Sequence, residues 1–146
     1  MRIEAATAET LKDWLDLRQA LWSWALSEHR AEALAALANP DAVTFLARDD
    51  QGQAVGFAEA SLRHDYVNGC STSPVGFLEG IYVREANRKQ GVARALVKAV
   101  EDWTRERGCC ELASDAWLDD SNSHRMHRAL GFLETERVVY FRKALD

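Results

Sequence analysis

A strand that leads directly into an amphipathic helix lies in the middle of the chain. The sequence VGFLEGIYV (75–83) is apolar on both faces except at Glu79, which predicts a strand in the interior of a sheet. Residues 91–108 place apolar side chains on one helical stripe with charged side chains opposite, and Gly108 is suited to cap that helix. The short basic turn Arg88-Lys89-Gln90-Gly91-Val92-Ala93 joins the two elements. This arrangement predicts a domain in which helices are layered on a sheet.

Weaker periodicities complete the order of elements. They predict strands at 2–7, 42–48, 53–63 and 109–115, helices within 9–26 and at 28–38 and 123–131, and one or two last strands within 132–145. Residues 64–74 form a turn-rich loop, and a loop of this length inside a compact domain is often functional. The order β-αα-βββ-α-β-α-β predicts one α/β (α+β) domain over residues 1–146, with a mixed central sheet and helices on both faces.

Charge and composition argue against several classes of function. A net charge of −5 argues against a nucleic-acid partner, because the phosphate backbone would repel it. No apolar run reaches the roughly 18 residues of a membrane helix, so no membrane partner is expected. The N-terminal sequence MRIEAATAET lacks the apolar stretch of a signal peptide, which favours a cytoplasmic location. Cys70, Cys109 and Cys110 fit no disulfide or metal-binding spacing, and the four histidines lack a partner set, so no metal is expected.

The basic turn at 88–93 is the strongest indication of a ligand. A strand that passes through a short turn into a helix leaves the first N–H groups of the helix unpaired, and these groups favour an anion such as phosphate. Gly91 would let the backbone approach closely, and Arg88 and Lys89 add positive charge. The alternative is that Gly91 only permits a turn and that the cations are solvated. Neither a P-loop motif nor a G-x-G-x-x-G motif is present, which argues against nucleotide folds of those two kinds.

The same residues resemble a known family. Arg88-x-x-Gly91-x-Ala93 after an apolar strand is similar to the [QR]-x-x-G-x-[GA] signature of the GCN5-related N-acetyltransferases (GNAT), and HRALGF (127–132) follows at the family's spacing. The resemblance is closest to the aminoglycoside 6'-N-acetyltransferases. The stretches that carry it are GFAEASLRHDYVNGC (56–70), FLEGIYV (77–83), ASD (113–115) and ALGFLETERVVYFRK (129–143). It implies the GNAT fold, a mixed central β-sheet of about six to seven strands flanked by helices on both faces.

The resemblance also implies acetyl-coenzyme A as a co-substrate. It assigns the diphosphate to the backbone amides of the 88–93 turn, and the pantetheine and thioester to the main chain of residues 81–83. The alternative for residues 81–83 is an ordinary ladder strand. The candidate cofactor-binding residues are Ile81, Tyr82, Val83, Arg88, Lys89, Gln90, Gly91, Val92, Ala93 and Asp120.

Two of the implied positions depart from the wider family. His127 stands where many relatives have a tyrosine that protonates the leaving thiolate, and it is a candidate acid because imidazole can donate a proton. Asp120 stands where an asparagine often contacts pantetheine. Because an ionised aspartate accepts hydrogen bonds but cannot donate them, the contact is altered or Asn122 replaces it.

Glu79 and Asp115 are the leading candidates for the chemistry of amine acetylation. By period-two alternation Glu79 shares a strand face with Phe77, Ile81 and Val83, where a carboxylate is costly unless it is paired or faces a wet cleft. An ion pair with an arginine is its alternative role, and a turn cap is the alternative for Asp115. The attacking amine must be neutral, so a carboxylate or a water must accept its proton. We expect Asp115 to be that acceptor, with Glu79 second.

Further candidates could complete a site for a cationic substrate. Glu136 would bind the substrate with Glu79 and Asp115, and a cross-strand pair with Arg137 or Arg142 is its alternative. Trp22 and Tyr66 could wall the sugar site, because aromatic faces pack against sugar rings. Trp22 could equally be a core residue. Trp24 and Trp117 are weaker candidates for the same wall.

The resemblance therefore implies an acetyl-coenzyme A-dependent N-acetyltransferase that acetylates the 6'-amine of aminoglycoside antibiotics and confers resistance. It also implies a homodimer. A nucleophilic cysteine would need a base or a helix terminus beside it. Cys109 and Cys110 begin a predicted interior strand, and Cys70 lies in the 64–74 loop with His64 nearby in sequence, so direct transfer in a ternary complex is favoured over an acetyl-cysteine intermediate. The alternatives are a GNAT enzyme for another small amine, a polyamine or a peptide N-terminus, and a coenzyme A-binding sensor without catalysis.

Overall fold

A computed structural model describes residues 1–146, and it contains five strands and four α-helices. The strands are β1 (Arg2–Ala5), β2 (Ala42–Arg48), β3 (Ala54–Arg63), β4 (Val75–Val83) and β5 (Leu112–Ser114). The helices are α1 (Leu11–Leu21), α2 (Leu26–Ala38), α3 (Val92–Glu106) and α4 (Ser121–Ala129). Short 3-10 helices precede α1 and follow β4, at Ala8–Thr10 and Glu85–Asn87. Every predicted helix is present, and the predicted hairpin is the β2–β3 pair.

The five strands form one mixed sheet in the order β1-β2-β3-β4-β5. Neighbours from β1 to β4 are antiparallel, whereas β5 pairs with β4 in parallel. Helix α3 connects β4 to β5, as a parallel crossover requires. The prediction of a mixed sheet is confirmed, but the expectation of six to seven strands is wrong by at least one.

Helices cover both faces of the sheet, as predicted. On one face, the buried stripe of α3 packs against β2, β3 and β4, and Leu130 and Phe132 after α4 join the same cluster. On the other face, α1 and α2 pack over Leu46 and Phe57 of β2 and β3. Trp14 on α1 is fully buried there and is a core residue. Both faces of β4 are therefore covered, which accounts for its nearly continuous apolar sequence.

The C-terminal segment, residues 132–146, contains no helix or strand, so the strands predicted within 132–145 are wrong. A strand needs a neighbour for its hydrogen bonds, and no strand of the sheet pairs with this segment. Its large apolar side chains are exposed instead: Leu133, Val138, Val139, Tyr140, Phe141 and Leu145. No helix in the chain is both long enough and apolar enough to span a membrane.

Candidate active site

A β-bulge at Glu79 shapes the middle of β4. The pairing of β3 with β4 passes from Glu59↔Gly80 to Ala60↔Leu78, which leaves Glu79 as an extra residue without a partner. On the other side, β5 pairs only with Gly76, Phe77 and Leu78. The edge of β4 from the bulge to Val83 therefore has no neighbouring strand, and β4 and β5 separate at this point.

The bulge also decides which backbone groups face the gap. Before it, the Gly76 N–H donates toward β5, to the Glu111 carbonyl at 3.1 Å. After β4, the Arg84 N–H donates toward β3, to the Val55 carbonyl at 2.8 Å. Because backbone direction alternates along a strand and the extra residue shifts the alternation by one, Ile81 and Val83 direct their N–H groups into the gap. Residues 81–83 pair with β3 without a break, as in an ordinary ladder strand, but their other edge has no partner strand.

The turn at 88–93 ends in an uncapped helix. Gly91 is the N-cap residue of α3 with φ of +84°, and no side chain caps the helix. The first intrahelical bond is donated by Ala95 to Gly91 at 3.0 Å, so the N–H groups of Val92, Ala93 and Arg94 have no helical acceptor. The first turn also contains no acidic side chain. These unpaired donors at the positive end of the helix dipole suit a diphosphate.

The side chains of this turn contribute less than its backbone. Lys89 has a left-handed conformation with φ of +61°, which together with Gly91 bends the backbone sharply. The Arg88 guanidinium turns back to β4, donating from Nε to the Val83 carbonyl at 2.8 Å and lying 5.6 Å from the Tyr82 ring centre. Gln90 donates to the Ala86 carbonyl at 3.4 Å. A Cβ on Gly91 would meet no atom within 4 Å, so the space before the helix is open.

A cavity of about 370 Å³ lies on the α1–α2 face, next to the bulge. Trp22, Trp24, Glu32, Glu59 and Glu79 are among its lining residues. The Trp22 and Trp24 rings are stacked with centres 5.0 Å apart, and Trp22 also meets Phe57 edge-on at 6.0 Å. The structure therefore brings predicted Trp22 and Glu79 together, with Trp24, in an anionic hollow with an aromatic wall.

Glu79 has an ion pair as well as a place in the cavity wall. Arg63 donates to it from Nη2 at 2.9 and 2.8 Å and from Nε at 3.2 Å, and the Ser61 hydroxyl donates at 2.8 Å. The Arg63 guanidinium lies 3.5 Å from the centre of the Phe77 ring. The arginine pair that the sequence left as the alternative is thus present. Because the Glu79 side chain remains 34% exposed, it can still meet a cationic ligand.

The other predicted substrate residues lie outside this cavity. Asp115 directly follows β5 at the gap, is exposed and forms no ion pair. Tyr66 is 71% exposed in the 64–74 loop, and Trp117 is 81% exposed. Glu136 is exposed on the C-terminal segment and pairs with neither Arg137 nor Arg142. These residues keep their proposed roles as predictions, and only Asp115 adjoins the separation of β4 and β5.

His127 and Asp120 have defined structural partners. The His127 Nδ1–H donates to the Ser123 carbonyl at 2.7 Å, and Nε2 is 2.8 Å from the Ser114 hydroxyl at the end of β5. The ring also meets Phe132 edge-on at 5.2 Å. Asp120 caps α4 by accepting from the Ser123 N–H at 3.1 Å. The predicted acid is therefore placed beside the gap, whereas one oxygen of Asp120 is engaged in a cap.

The sequence reasoning missed a polar cluster that is buried except at Glu32, which we name the Arg18 cluster: Arg18, His29, Glu32 and Glu59. Arg18 and Glu59 form a buried ion pair with Nη1 at 2.8 Å from both carboxylate oxygens. Burial raises the pKa of Glu59, while Arg18 and the Trp14 indole N–H oppose that effect. The available signal was Glu59, a single carboxylate inside the apolar run VGFAEA of β3, whereas Arg18 is one of four charged residues in α1 and does not stand out.

Comparison with known proteins decides the family. Residues 8–132 match the model of the Acetyltransferase (GNAT) family. The chain belongs to the GNAT acetyltransferase family. It is 52% identical, over the full length of both chains, to aminoglycoside N(6')-acetyltransferase type 1 from Acinetobacter haemolyticus. It is also 52% identical to the enzyme of that name from Serratia marcescens, covering 94% of each chain.

Solved structures of such relatives superpose closely on this GNAT chain. The apo crystal structure of an aminoglycoside 6'-N-acetyltransferase from Acinetobacter haemolyticus has a TM-score of 0.97 at 52% identity and covers 100% of both chains. A 44% identical relative, in complex with the bisubstrate analogue CoA-S-monomethyl-acetylneamine, has a TM-score of 0.94 and covers 99% of this chain and 98% of that one. The predicted GNAT fold and the likeness to this enzyme group are confirmed.

Proposed function

We propose that this GNAT chain transfers the acetyl group of acetyl-coenzyme A to the 6'-amine of aminoglycoside antibiotics and thereby confers resistance. The observation that carries the proposal is the position of the β4 bulge, with the N–H groups of Ile81 and Val83 at an open strand edge on one side and Glu79 in an anionic aromatic cavity on the other. Full-length identity of 52% to an aminoglycoside N(6')-acetyltransferase supports the substrate class.

The cofactor half of the site consists mainly of backbone. The unpaired N–H groups at the start of α3 fit the diphosphate, and the open edge of β4 fits the pantetheine arm. Bound acetyl-coenzyme A supplies the activated acetyl group. The N–H group of Ile81, next to the bulge, is proposed to donate to its carbonyl oxygen as negative charge develops there, which is the stabilisation that acyl transfer needs. The N–H group of Val83 lies about 6.6 Å further along the strand and is proposed to hold the pantetheine arm.

The acceptor half must hold a cation and still release a neutral amine. Carboxylates that bind an ammonium raise its pKa and so oppose its deprotonation. Asp115 is the proposed proton acceptor, because it is exposed at the end of β5 and no ion pair competes for it. Glu79 already pairs with Arg63 and is better suited to orienting the substrate. Tyr66 and Glu136 are proposed to contact the other rings of the drug.

His127 is the proposed donor of the proton that the leaving thiolate needs. Its Nδ1–H is fixed by the Ser123 carbonyl, so Nε2 is the atom that faces Ser114 and the gap between β4 and β5. Nε2 can donate only when the ring is the imidazolium, with a proton on both nitrogens. Asp120 holds the start of α4 and thereby the position of His127 about two turns later. A contact from the second oxygen of Asp120 to pantetheine is part of the proposal.

We also propose a homodimer built on the C-terminal segment. Residues 132–146 expose six large apolar side chains, and their backbone does not pair with any strand of the sheet. Such a segment is suited to pack against a second copy of the chain. Glu136 lies on that segment, so a contact of the segment with a second copy would also fix the position of Glu136. Sedimentation should give a dimer, and Phe141→Glu should give a monomer with weakened aminoglycoside binding.

A cytoplasmic location completes the proposal. Cys70, Cys109 and Cys110 are all free thiols, which is usual for proteins of a reducing compartment.

Mass spectrometry of kanamycin or tobramycin after incubation with acetyl-coenzyme A tests the function. We expect a single added acetyl group on the 6'-nitrogen. Faster thiol release with a polyamine or a peptide amine would replace the proposed substrate by another amine. Tight acetyl-coenzyme A binding with no product from any amine would show a sensor instead of an enzyme.

A further inference from the structure

Arg18 is buried in the middle of the layer that covers the cavity. It lies on α1, is 1% exposed, and its guanidinium makes contacts in several directions. Nη1 donates to both oxygens of Glu59 at 2.8 Å, Nη2 donates to Glu32 at 2.6 Å, and Nε donates to His29 Nδ1 at 3.2 Å. A buried guanidinium is costly unless its donors are paired, so the cluster is built around it.

The charges of the Arg18 cluster do not cancel. Arg18 neutralises the buried carboxylate of Glu59, which also accepts from the Trp14 indole N–H at 2.8 Å. Glu32 is the second anion on the same guanidinium, and its side chain is 57% exposed at the cavity wall. One uncompensated negative charge therefore belongs to the wall of the cavity.

The same guanidinium holds the aromatic wall. Its central carbon lies 4.9 Å from the Trp22 ring centre and 5.9 Å from that of Trp24, within the range of cation–π attraction. His29 adds a second link. Because its Nδ1 accepts from Arg18, its Nε2 carries the proton and donates to the Trp22 carbonyl at 2.9 Å. Arg18 therefore fixes both the ring and the backbone of Trp22.

Trp22 in turn lies against the bulged strand. A Cβ on Gly80 would be 2.5 Å from ring atoms Cζ2 and Cη2 of Trp22, so the indole edge touches the backbone there. Gly80 stands between the bulge residue Glu79 and Ile81. A shift of the indole would change the width of the cavity at the point where an amine must approach the gap.

We propose that Arg18 is a positioning residue of the acceptor site, which holds the Trp22–Trp24 stack against β4 and so sets the shape of the substrate cavity. As far as the substrate is concerned, this inference rests on the proposed function. Arg18 touches neither substrate nor cofactor in this role. It acts through the two indoles and through His29, and it holds Glu32 on the cavity wall.

The variant Arg18→Lys tests the proposal, because lysine keeps the charge for Glu59 but loses the planar fork and the stacking on indole. Two coupled indoles give an exciton couplet in far-ultraviolet circular dichroism, and we expect the couplet to be lost. We also expect KM for the aminoglycoside to rise at least about tenfold, since misplacement of positioning groups is costly, with kcat and coenzyme A affinity changed little. Arg48→Lys is the matched control, because Arg48 forms ion pairs with Glu4 and Asp13 away from the cavity.

Each outcome decides for or against the role of Arg18. An unchanged KM, or a raised KM with an intact couplet, would overturn the proposal. If Arg18→Lys does not fold, the double variant Arg18→Met/Glu59→Gln removes both buried charges and keeps an acceptor for Trp14, with the same two readouts. If neither of these variants folds, Trp24→Ala removes the indole stack but leaves all ion pairs of Arg18 in place. An unchanged KM for the aminoglycoside in that variant would also overturn the proposal. The couplet is measured without substrate, so its loss in Arg18→Lys supports the role of Arg18 even if the wild-type enzyme acetylates no aminoglycoside. That last result would refute only the proposed function.

Discussion

The substitution Gly80→Ala should disturb the active site through one contact. The new Cβ would lie 2.5 Å from two atoms of the Trp22 ring, whereas ordinary contacts begin near 3.4 Å, so the ring or the strand must move by about 1 Å. Gly80 has no positive φ, so alanine adds crowding but no backbone strain. Crowding of this kind costs about 1–3 kcal/mol. A misplacement of about 1 Å at a positioning group can reduce kcat/KM by about 10- to 100-fold.

Thermal unfolding and steady-state kinetics measure the two effects of Gly80→Ala. For a domain of this size, the expected destabilisation corresponds to a Tm lower by about 3–10 °C. Gly52→Ala is the control, because Gly52 has φ of +81° and open space, so alanine there adds strain without crowding. The control should lose stability by about 1 kcal/mol and keep its kcat/KM. A Gly80→Ala enzyme with wild-type kinetics would refute the role given to the Trp22–Gly80 contact.

Three further predictions concern the proton acceptor, the helix start and the 64–74 loop. Asp115→Asn should lower kcat about 100-fold or more in a thiol-release assay, because the proposed proton acceptor is lost. The Tm should not change, because the carboxylate is exposed and unpaired. Undiminished turnover would remove Asp115 as the acceptor. Gly91→Ala should raise the Kd of coenzyme A about tenfold in calorimetry, because its φ of +84° is strained for alanine and the methyl group enters the open space before α3; unchanged affinity would contradict the proposed diphosphate site. Hydrogen bonds from the Thr72 hydroxyl and from the N–H groups of Ser71 and Thr72 lower the pKa of Glu111 below its ordinary value of 4.5. The stability that ionised Glu111 contributes is therefore present above pH 4.5, and it is lost as the pH falls through the lower pKa of the folded state. Glu111→Gln should therefore flatten the acid side of a Tm-against-pH curve, and an unchanged curve would show that this anchor of the loop adds nothing.

The helices and the central strands were predictable because their patterns are local. The stripe of α3 and the doubly apolar β4 depend only on the periodicity of residues that are buried on one or both faces. The C-terminal strands failed for the opposite reason. The apolar β-branched and aromatic run VVYF (138–141) is present, but a strand also needs a hydrogen-bonding neighbour, and a sequence pattern does not reveal whether one exists within the same chain.

The candidate site was predicted where the family signature is local and missed where it depends on packing. The helix start at Gly91 and the carboxylate Glu79 stand out in the sequence itself. Period-two alternation also placed Glu79 on one face with Ile81 and Val83, and the bulge invalidates that step because the extra residue shifts the alternation. Arg18 and Glu59 are 41 residues apart, and only the packing of α1 on β3 makes them one buried pair.

The extra residue in β4 ties the two halves of this enzyme together. Deleting one position there would restore a continuous ladder with β3 and remove the local bend at Glu79, which lies both where β4 leaves β5 and in the cavity wall. Substitutions on α1 and α2 can therefore change the preference among drugs without changing the cofactor half of the site. A change in the length of β4 would disturb both halves at once. We expect insertions and deletions among active enzymes of this shape to spare β4 and to gather in the loops that border it.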